Sequence, residues 1–532
     1  MSAAQKNTGL VGYAWVRDRL RLPSFLGARE AHLAATQAIV AAPSGALLVP
    51  ARMAPTDTLL GHLLFALKYE GVNLCLLAAS LKQVPAAEME AAHAATPNGV
   101  YVRAACHLWE LVTGANLSQG DAVITAPYQA VFDPQRYIVG ASRRSAKWRM
   151  DFNGLGEIGF CPTVRRTPAL QRLLEQDILA QTRQFAQNIG IEVLDRALGW
   201  AYLSETEGSF AIEGEVPSQD KAQAFVNLLK HAGDARELTE ELLCELQRLS
   251  ITNEFDQAFE FRSEQNRLQK GVGAAGVRYV PPKPERVPDL MDGLMDLANR
   301  KPQELDPLVH AAIVSFGFVF IHPFMDGNGR LSRFLIHHCL GQSGALPRAV
   351  VLPVSVAMKR HEDEYLQALV DFSAPARELC EVLWAGDADC FFTWKPHADE
   401  AFRFMDLTAA AEFTLSMAQA ALGQDLLRQV QWLGDFDAIY QQIKLDHDVR
   451  DADLCTLIAM ALQNGGVISK GKRKTYADRV PERVFEAIDA LCSERLAIRR
   501  GATAGLDSAT HEGRKEADQL ATTPFQRKSN LP

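Results

Sequence analysis

The stretch from Ala311 to Ile321 is apolar at every position but Ser315. A run of that kind reads as a helix buried on nearly all sides. It is too short to cross a bilayer, which takes about 20 residues. Asp306-Pro307 just upstream gives it an N-cap and a proline at the first helical position. Pro323 just downstream biases His322 out of the helical region and ends it. A second helix is predicted from Asn328 or Gly329 to about Leu340, with Gly341 as its stop. The chain is therefore expected to hold two interior helices joined by one short, rigidly held loop.

That loop carries an unusual density of chemistry. It reads His322-Pro-Phe-Met-Asp-Gly-Asn-Gly-Arg-Leu-Ser-Arg333. Gly327 and Gly329 flank Asn328 at the start of a helix. Without β-carbons the backbone can turn tightly and aim successive N–H groups at one point, and the helix dipole adds to this anion site. Arg330 and Arg333 lie three apart and share a helix face, so two guanidiniums can clamp phosphate oxygens. Asp326 is a hard oxygen ligand suited to Mg²⁺ beside a polyphosphate. His322 can take a proton near neutral pH. A GNG turn alone, or a histidine before proline alone, is usually structural. Together these residues suit attack on a nucleotide phosphate.

The rest of the chain bounds what surrounds this loop. Its 532 residues fit three or four domains as a prior. Hydrophobic residues at 48% and charged residues at 22% match a soluble globular protein and exclude a disordered one. A net charge of −9 gives no bulk attraction to nucleic acid or anionic membrane, so neither is expected as a partner. Nine scattered cysteines without a CxxC pair exclude a zinc ribbon and fit reduced thiols. The first residues lack a signal-peptide pattern. A cytoplasmic location is expected.

The fold class expected is mainly α, with helical spacing in Leu59–Tyr69 and Tyr101–Thr113 and an irregular stretch over 116–166. Residues 1–194 are expected as a helical N-terminal domain and 195–395 as the core. Residues 396–498 are expected as a helical C-terminal region, winged-helix-like as one reading, and 499–532 as a disordered tail. Within the core, a non-helical interruption over about 262–287 holds Gly271, Gly273 and Gly276, then Val277-Arg-Tyr-Val280 and Pro281, Pro282 and Pro284, with the flap at about 262–280. This predicts a small hairpin or flap followed by an extended linker. His337-His338-Cys339 do not converge on a helix and are not read as metal ligands. Lys470-Gly-Lys-Arg-Lys474 is expected as a solvated loop, or else the wing of a DNA-binding module.

The loop matches the motif HxFx(D/E)GNGRxxR at every defined position, and on that motif the chain resembles the Fic family. The resemblance implies an all-α core and transfer of AMP from ATP to a protein hydroxyl, with the protein target unnamed and the chain itself as one candidate. It implies that His322 deprotonates a Ser, Thr or Tyr hydroxyl and that Asp326 holds Mg²⁺ on the phosphates. Gly327, Asn328 and Gly329 bind phosphate, Arg330 and Arg333 hold the β and γ phosphates, and Phe324 anchors the loop in the core. The related Doc-type branch carries Lys at the position of Gly329, so Gly329 favours nucleotidyl over phosphate transfer.

Ser209-Phe-Ala-Ile-Glu213-Gly214 lies upstream, within a helix expected over about 205–215. Read by itself it is a short helix end with Gly214 as the stop. It also resembles the Fic inhibitory motif (S/T)xxxE(G/N), which implies that Glu213 competes with the γ phosphate for Arg333. By the same resemblance the flap pairs with the target backbone by strand addition. Alternatives stay open: phosphate transfer, another nucleotide donor, removal of AMP, or a regulatory binding protein with a latent site that acts through a partner or DNA.

Overall fold

The structure, a computed structural model, describes residues 9–23, 30–234, 236–251, 253–300, 305–347, 350–386 and 389–498. The predicted tail over 499–532 lies outside the described residues. The protein is mainly α, and the sheets that interrupt it are small. Among the described residues no helix is long and apolar enough to cross a membrane.

The helix Leu59–Tyr69 forms where the apolar spacing predicts it, capped by the Thr58 side chain on the Gly61 amide. The second predicted N-terminal helix runs Val100–Thr113 and stops at Gly114 with φ +71°. The irregular stretch after it contains a short three-stranded sheet in the order Gln129–Ala130, Met150–Phe152, Arg143–Ser145. A second such sheet, Ala31–Ala34, Leu47–Pro50, Val40–Ala41, precedes it. Strands this short carry no long alternating pattern, so the sequence does not announce them.

The chain divides into two compact units, one of residues 1–189 and 198–425 and the other of 190–197 and 426–532. The segment expected to stand alone at the N-terminus is thus part of the same unit as the loop. Backbone hydrogen bonds join them, from the Cys161 amide to the Arg403 carbonyl and from the Thr163 amide to the Met405 carbonyl, both 2.8 Å. The Lys82 ammonium also meets the nearly buried Glu400 carboxylate at 2.8 Å. Such long-range pairs leave no trace in local composition.

The two interior helices are Pro307–Ile321 and Asn328–Ser343. Asp306 caps the first by accepting from the Leu308 and Val309 amides, as its place before Pro307 predicts. The second runs past the expected stop to Gly344, which takes φ +66°. Gly341 serves another purpose. A β-carbon there would sit 2.5 Å from the Gly233 α-carbon, so two backbones touch where a stop was predicted.

The flap is an antiparallel hairpin of Leu268–Gln269 and Val277–Tyr279, with Leu268 opposite Tyr279. The helix Val287–Asn299 follows it. A second hairpin, Cys380–Gly386 with Asp389–Trp394, packs Cys380, Val382, Phe392 and Trp394 against Val277 and Val280.

In the second unit, Leu457, Ile458, Phe485 and Ile488 form a separate buried core. The basic run there is neither a loop nor a β wing. Lys470–Tyr476 is a helix capped by Ser469, and Arg473 pairs with Glu482 and Asp489. A serine cap followed by residues of high helix propensity accounts for it.

Candidate active site

His322 ends the first interior helix in the left-handed region, at φ +54° and ψ +60°, not in the extended region that a following proline favours. Its Nδ1 lies 3.1 Å from the Val319 carbonyl. A carbonyl only accepts, so Nδ1 carries the hydrogen and Nε2 is left with a lone pair. Burial lowers the imidazole pKa from 6.5 to about 4, with the Arg262 charge acting in the same direction. His322 is thus a neutral base at pH 7.

The loop beyond it is braced from within. Phe324 is 1% exposed and packs against Phe261 and Phe318. The Asn328 side chain accepts from the Phe324 amide at 3.0 Å and donates to the Phe324 carbonyl at 2.8 Å. Both ends of that amide therefore help to shape the loop. Gly327 takes φ +88°, a conformation that L residues rarely adopt.

The space above Gly329 is filled. A β-carbon on Gly329 would lie 2.1 Å from Oε1 of Glu213. That carboxylate therefore sits over the N-terminus of the second helix, where the dipole and the glycine turn favour an anion. Glu213 also accepts from Arg333 Nη2 at 2.8 Å. The remaining donors of Arg333 go to the Ser209 hydroxyl at 2.9 Å, the Ser209 carbonyl at 2.7 Å and the Tyr365 hydroxyl at 3.3 Å. Ser209 and Glu213 thus converge on one guanidinium, and Gly214 lets the chain turn after the helix Ile191–Ile212 with φ +76°.

Arg330 shares a helix with Arg333 but reaches different partners. It donates to Glu215 and to the Ser250 carbonyl at 3.0 Å, and to both Asp326 oxygens at 3.1 and 3.2 Å. Its Nε is buried and has no hydrogen-bond partner among the described residues. An unpaired buried donor is costly, and an anion in the site would offer it an acceptor. His337, on the same helix, meets Glu205 at 2.7 Å, and Glu205 also accepts from the Ser355 hydroxyl.

Asp326 stands at the mouth of the loop with its side chain 42% exposed. No cluster of three or more possible metal-ligating side chains occurs among the described residues. A Mg²⁺ held by one carboxylate, phosphate oxygens and water does not need one, and the half-exposed carboxylate fits that role.

Several residues of the site escaped the sequence. Glu215 sits two positions past Glu213 and is visible in hindsight as a second acid on the same turn. Tyr365, Arg262, Asn266 and Gln247 act from distant segments with no motif to mark them.

Residues 237–340 match the Fic/DOC family. The chain is 28% identical to protein adenylyltransferase fic-1 of Caenorhabditis elegans over 158 residues, which cover 30% of this chain and 29% of that protein. It is 40% identical to protein adenylyltransferase Fic of Nematostella vectensis over 70 residues, 13% of this chain and 16% of that one. It is 33% identical to a probable protein adenylyltransferase of Aquifex aeolicus over 112 residues, 21% of this chain and 32% of that one. The chain thus spans under a third of the length of each of these relatives.

Proposed function

We propose that this Fic-domain chain is a protein adenylyltransferase that moves AMP from ATP to a Ser, Thr or Tyr hydroxyl of a protein and releases pyrophosphate. The observation that carries the reading is the state of His322: neutral, its Nδ1 hydrogen committed to Val319, beside a glycine-flanked helix start. His322 Nε2 takes the hydroxyl proton as the oxygen bonds to the α phosphorus and the bond to the β-phosphate oxygen breaks. The N–H groups at Gly327 to Gly329 and the Arg330 and Arg333 guanidiniums bind the phosphates and stabilise the charge that builds on pyrophosphate. Asp326 would hold Mg²⁺, which supplies charge neutralisation at the phosphate oxygens when bound.

In this reading the placement of Glu213 makes an inhibited conformation. Glu213 occupies the anion site above Gly329 and engages Arg333, so a triphosphate cannot take the in-line pose until that carboxylate leaves. The segment 195–395 is the catalytic core in this reading, and 1–189 flanks it.

Glu213→Gly protein incubated with α-labelled and, separately, γ-labelled ATP tests the assignment. Label from the α position should appear on protein and label from the γ position should not. Transfer from γ alone would replace the reading with phosphate transfer.

A further inference from the structure

The catalytic turn is held by its carbonyls. Five in succession, from His322 to Asp326, each accept a hydrogen bond, and every one takes a donor from residues 247–266. The His322 carbonyl takes Arg262 Nε at 2.8 Å, and the Pro323 carbonyl takes the Arg262 backbone N–H at 2.8 Å. Asn266 Nδ2 reaches the carbonyls of Phe324 at 3.3 Å and Met325 at 3.1 Å. Gln247 Nε2 reaches the Asp326 carbonyl at 3.2 Å. In a trans peptide the carbonyl and the next N–H point to opposite sides. Holding the carbonyls of Phe324, Met325 and Asp326 therefore turns the N–H groups of Met325, Asp326 and Gly327 the other way.

Arg262 is the centre of this arrangement. It is 6% exposed. Its guanidinium also donates to the carbonyls of Glu264 at 2.9 Å and Pro282 at 2.5 Å. Those two residues bracket the flap hairpin. Its side-chain hydrogen bonds among the described residues all go to carbonyls, and burying a cation among neutral acceptors is expensive. A lysine could not span three carbonyls of fixed direction, because its donors sit on one atom. The left-handed backbone of His322 needs such outside support, since a non-glycine residue there is strained.

We infer that Arg262 is a positioning residue for the transfer reaction: by fixing the His322 carbonyl it sets the direction of the imidazole, and it ties that direction to the root of the flap. A target strand added to the flap then orders the same segment that orients the base.

The rate readout rests on the adenylyl-transfer reading, and a second readout does not. Arg262→Lys in a Glu213→Gly background should lower kcat by about 10- to 100-fold, with KM for ATP within about twofold, as expected for a displaced base. Hydrogen exchange of the full chain without ATP should speed up at Met325 to Gly327 by about tenfold or more, while the helices Pro307–Ile321 and Asn328–Ser343 keep their protection. Should Arg262→Lys fail to fold, Asn266→Ala, at a half-buried residue, removes the neighbouring donor to the Phe324 and Met325 carbonyls of the same clamp, and the same loss of kcat and faster loop exchange are expected of it. An unchanged kcat with unchanged loop exchange would overturn the inference, as would faster exchange through both helices, the mark of a merely structural residue. If Glu213→Gly shows no transfer at all, the activity reading fails, and loop exchange alone decides the role of Arg262.

Discussion

The two ends of the catalytic turn are held by opposite chemistry. At the His322 end the acceptors are neutral: backbone carbonyls accept from Arg262, Asn266 and Gln247. At the arginine end the grip is ionic: Glu213 binds Arg333 and Glu215 binds Arg330, with both carboxylates about one-third exposed. An incoming triphosphate gains nothing by displacing a carbonyl clamp. It competes directly for guanidiniums that carboxylates occupy. On the proposed adenylyl transfer, one end persists through turnover and the other yields, a division of catalysis from control within a few residues.

The comparison is sharpest at its extremes. His322→Ala removes the base and nothing from the anion site. Transfer measured with α-labelled ATP in a Glu213→Gly background should fall by about 10²- to 10⁴-fold. ATP affinity by calorimetry should stay within about threefold. A matching loss of ATP affinity would show that the histidine end also binds phosphate, and the division would break.

At the other end the sign reverses. Glu213→Gly should raise initial transfer rates by about 10- to 100-fold, the range of a typical coupling free energy between competing ligands. No rise would mean that Glu213 sits beside the anion site without controlling it. Glu215→Gln tests whether the ionic grip is double. Its partner Arg330 keeps Asp326 and the Ser250 carbonyl, and a partly exposed pair is worth little. A further gain of about two- to fivefold over Glu213→Gly is expected. A loss instead would mean that Glu215 holds Arg330 in place for catalysis. The two changes act on one segment, so additivity is not assumed and the double variant is compared with both singles.

How much of this the sequence revealed follows the same division. The loop was legible because its residues are contiguous: the glycines, Asp326, the arginines and His322 fall in one frame between two helix signals. Ser209 and Glu213 were legible through the resemblance to the Fic inhibitory motif and not through spacing alone, and the structure brings both to Arg333. The carbonyl clamp was not legible. Arg262 and Gln247 look like ordinary polar residues, and their acceptors are backbone atoms, which no side-chain pattern encodes. Asn328 shows a limit of another kind. Its place between two glycines marks a phosphate turn, yet its side-chain amide bonds to Phe324. Gly341 reads as a helix stop in the sequence, yet its smallness admits Gly233, a contact visible only in three dimensions.

The smallest expected effect is a near-absence. An imidazole of ordinary pKa, about 6.5, would be about one-tenth neutral at pH 5.5, and a rate that needs the base form would drop about tenfold from its plateau. His322 is held at about 4, chiefly by burial. A lowered histidine pKa keeps the neutral form populated as pH falls, so loss of the base begins only as pH approaches 4. In Glu213→Gly protein, which lacks that carboxylate beside the ring, kcat/KM for ATP should change by less than about twofold between pH 7.5 and 5.5, once the titration of ATP is corrected for. Asp326 and Arg262 are the other charges acting on the ring. A tenfold drop centred near pH 6.5 would place the imidazole in water, and the persistent end of the turn would then be as open as the yielding one.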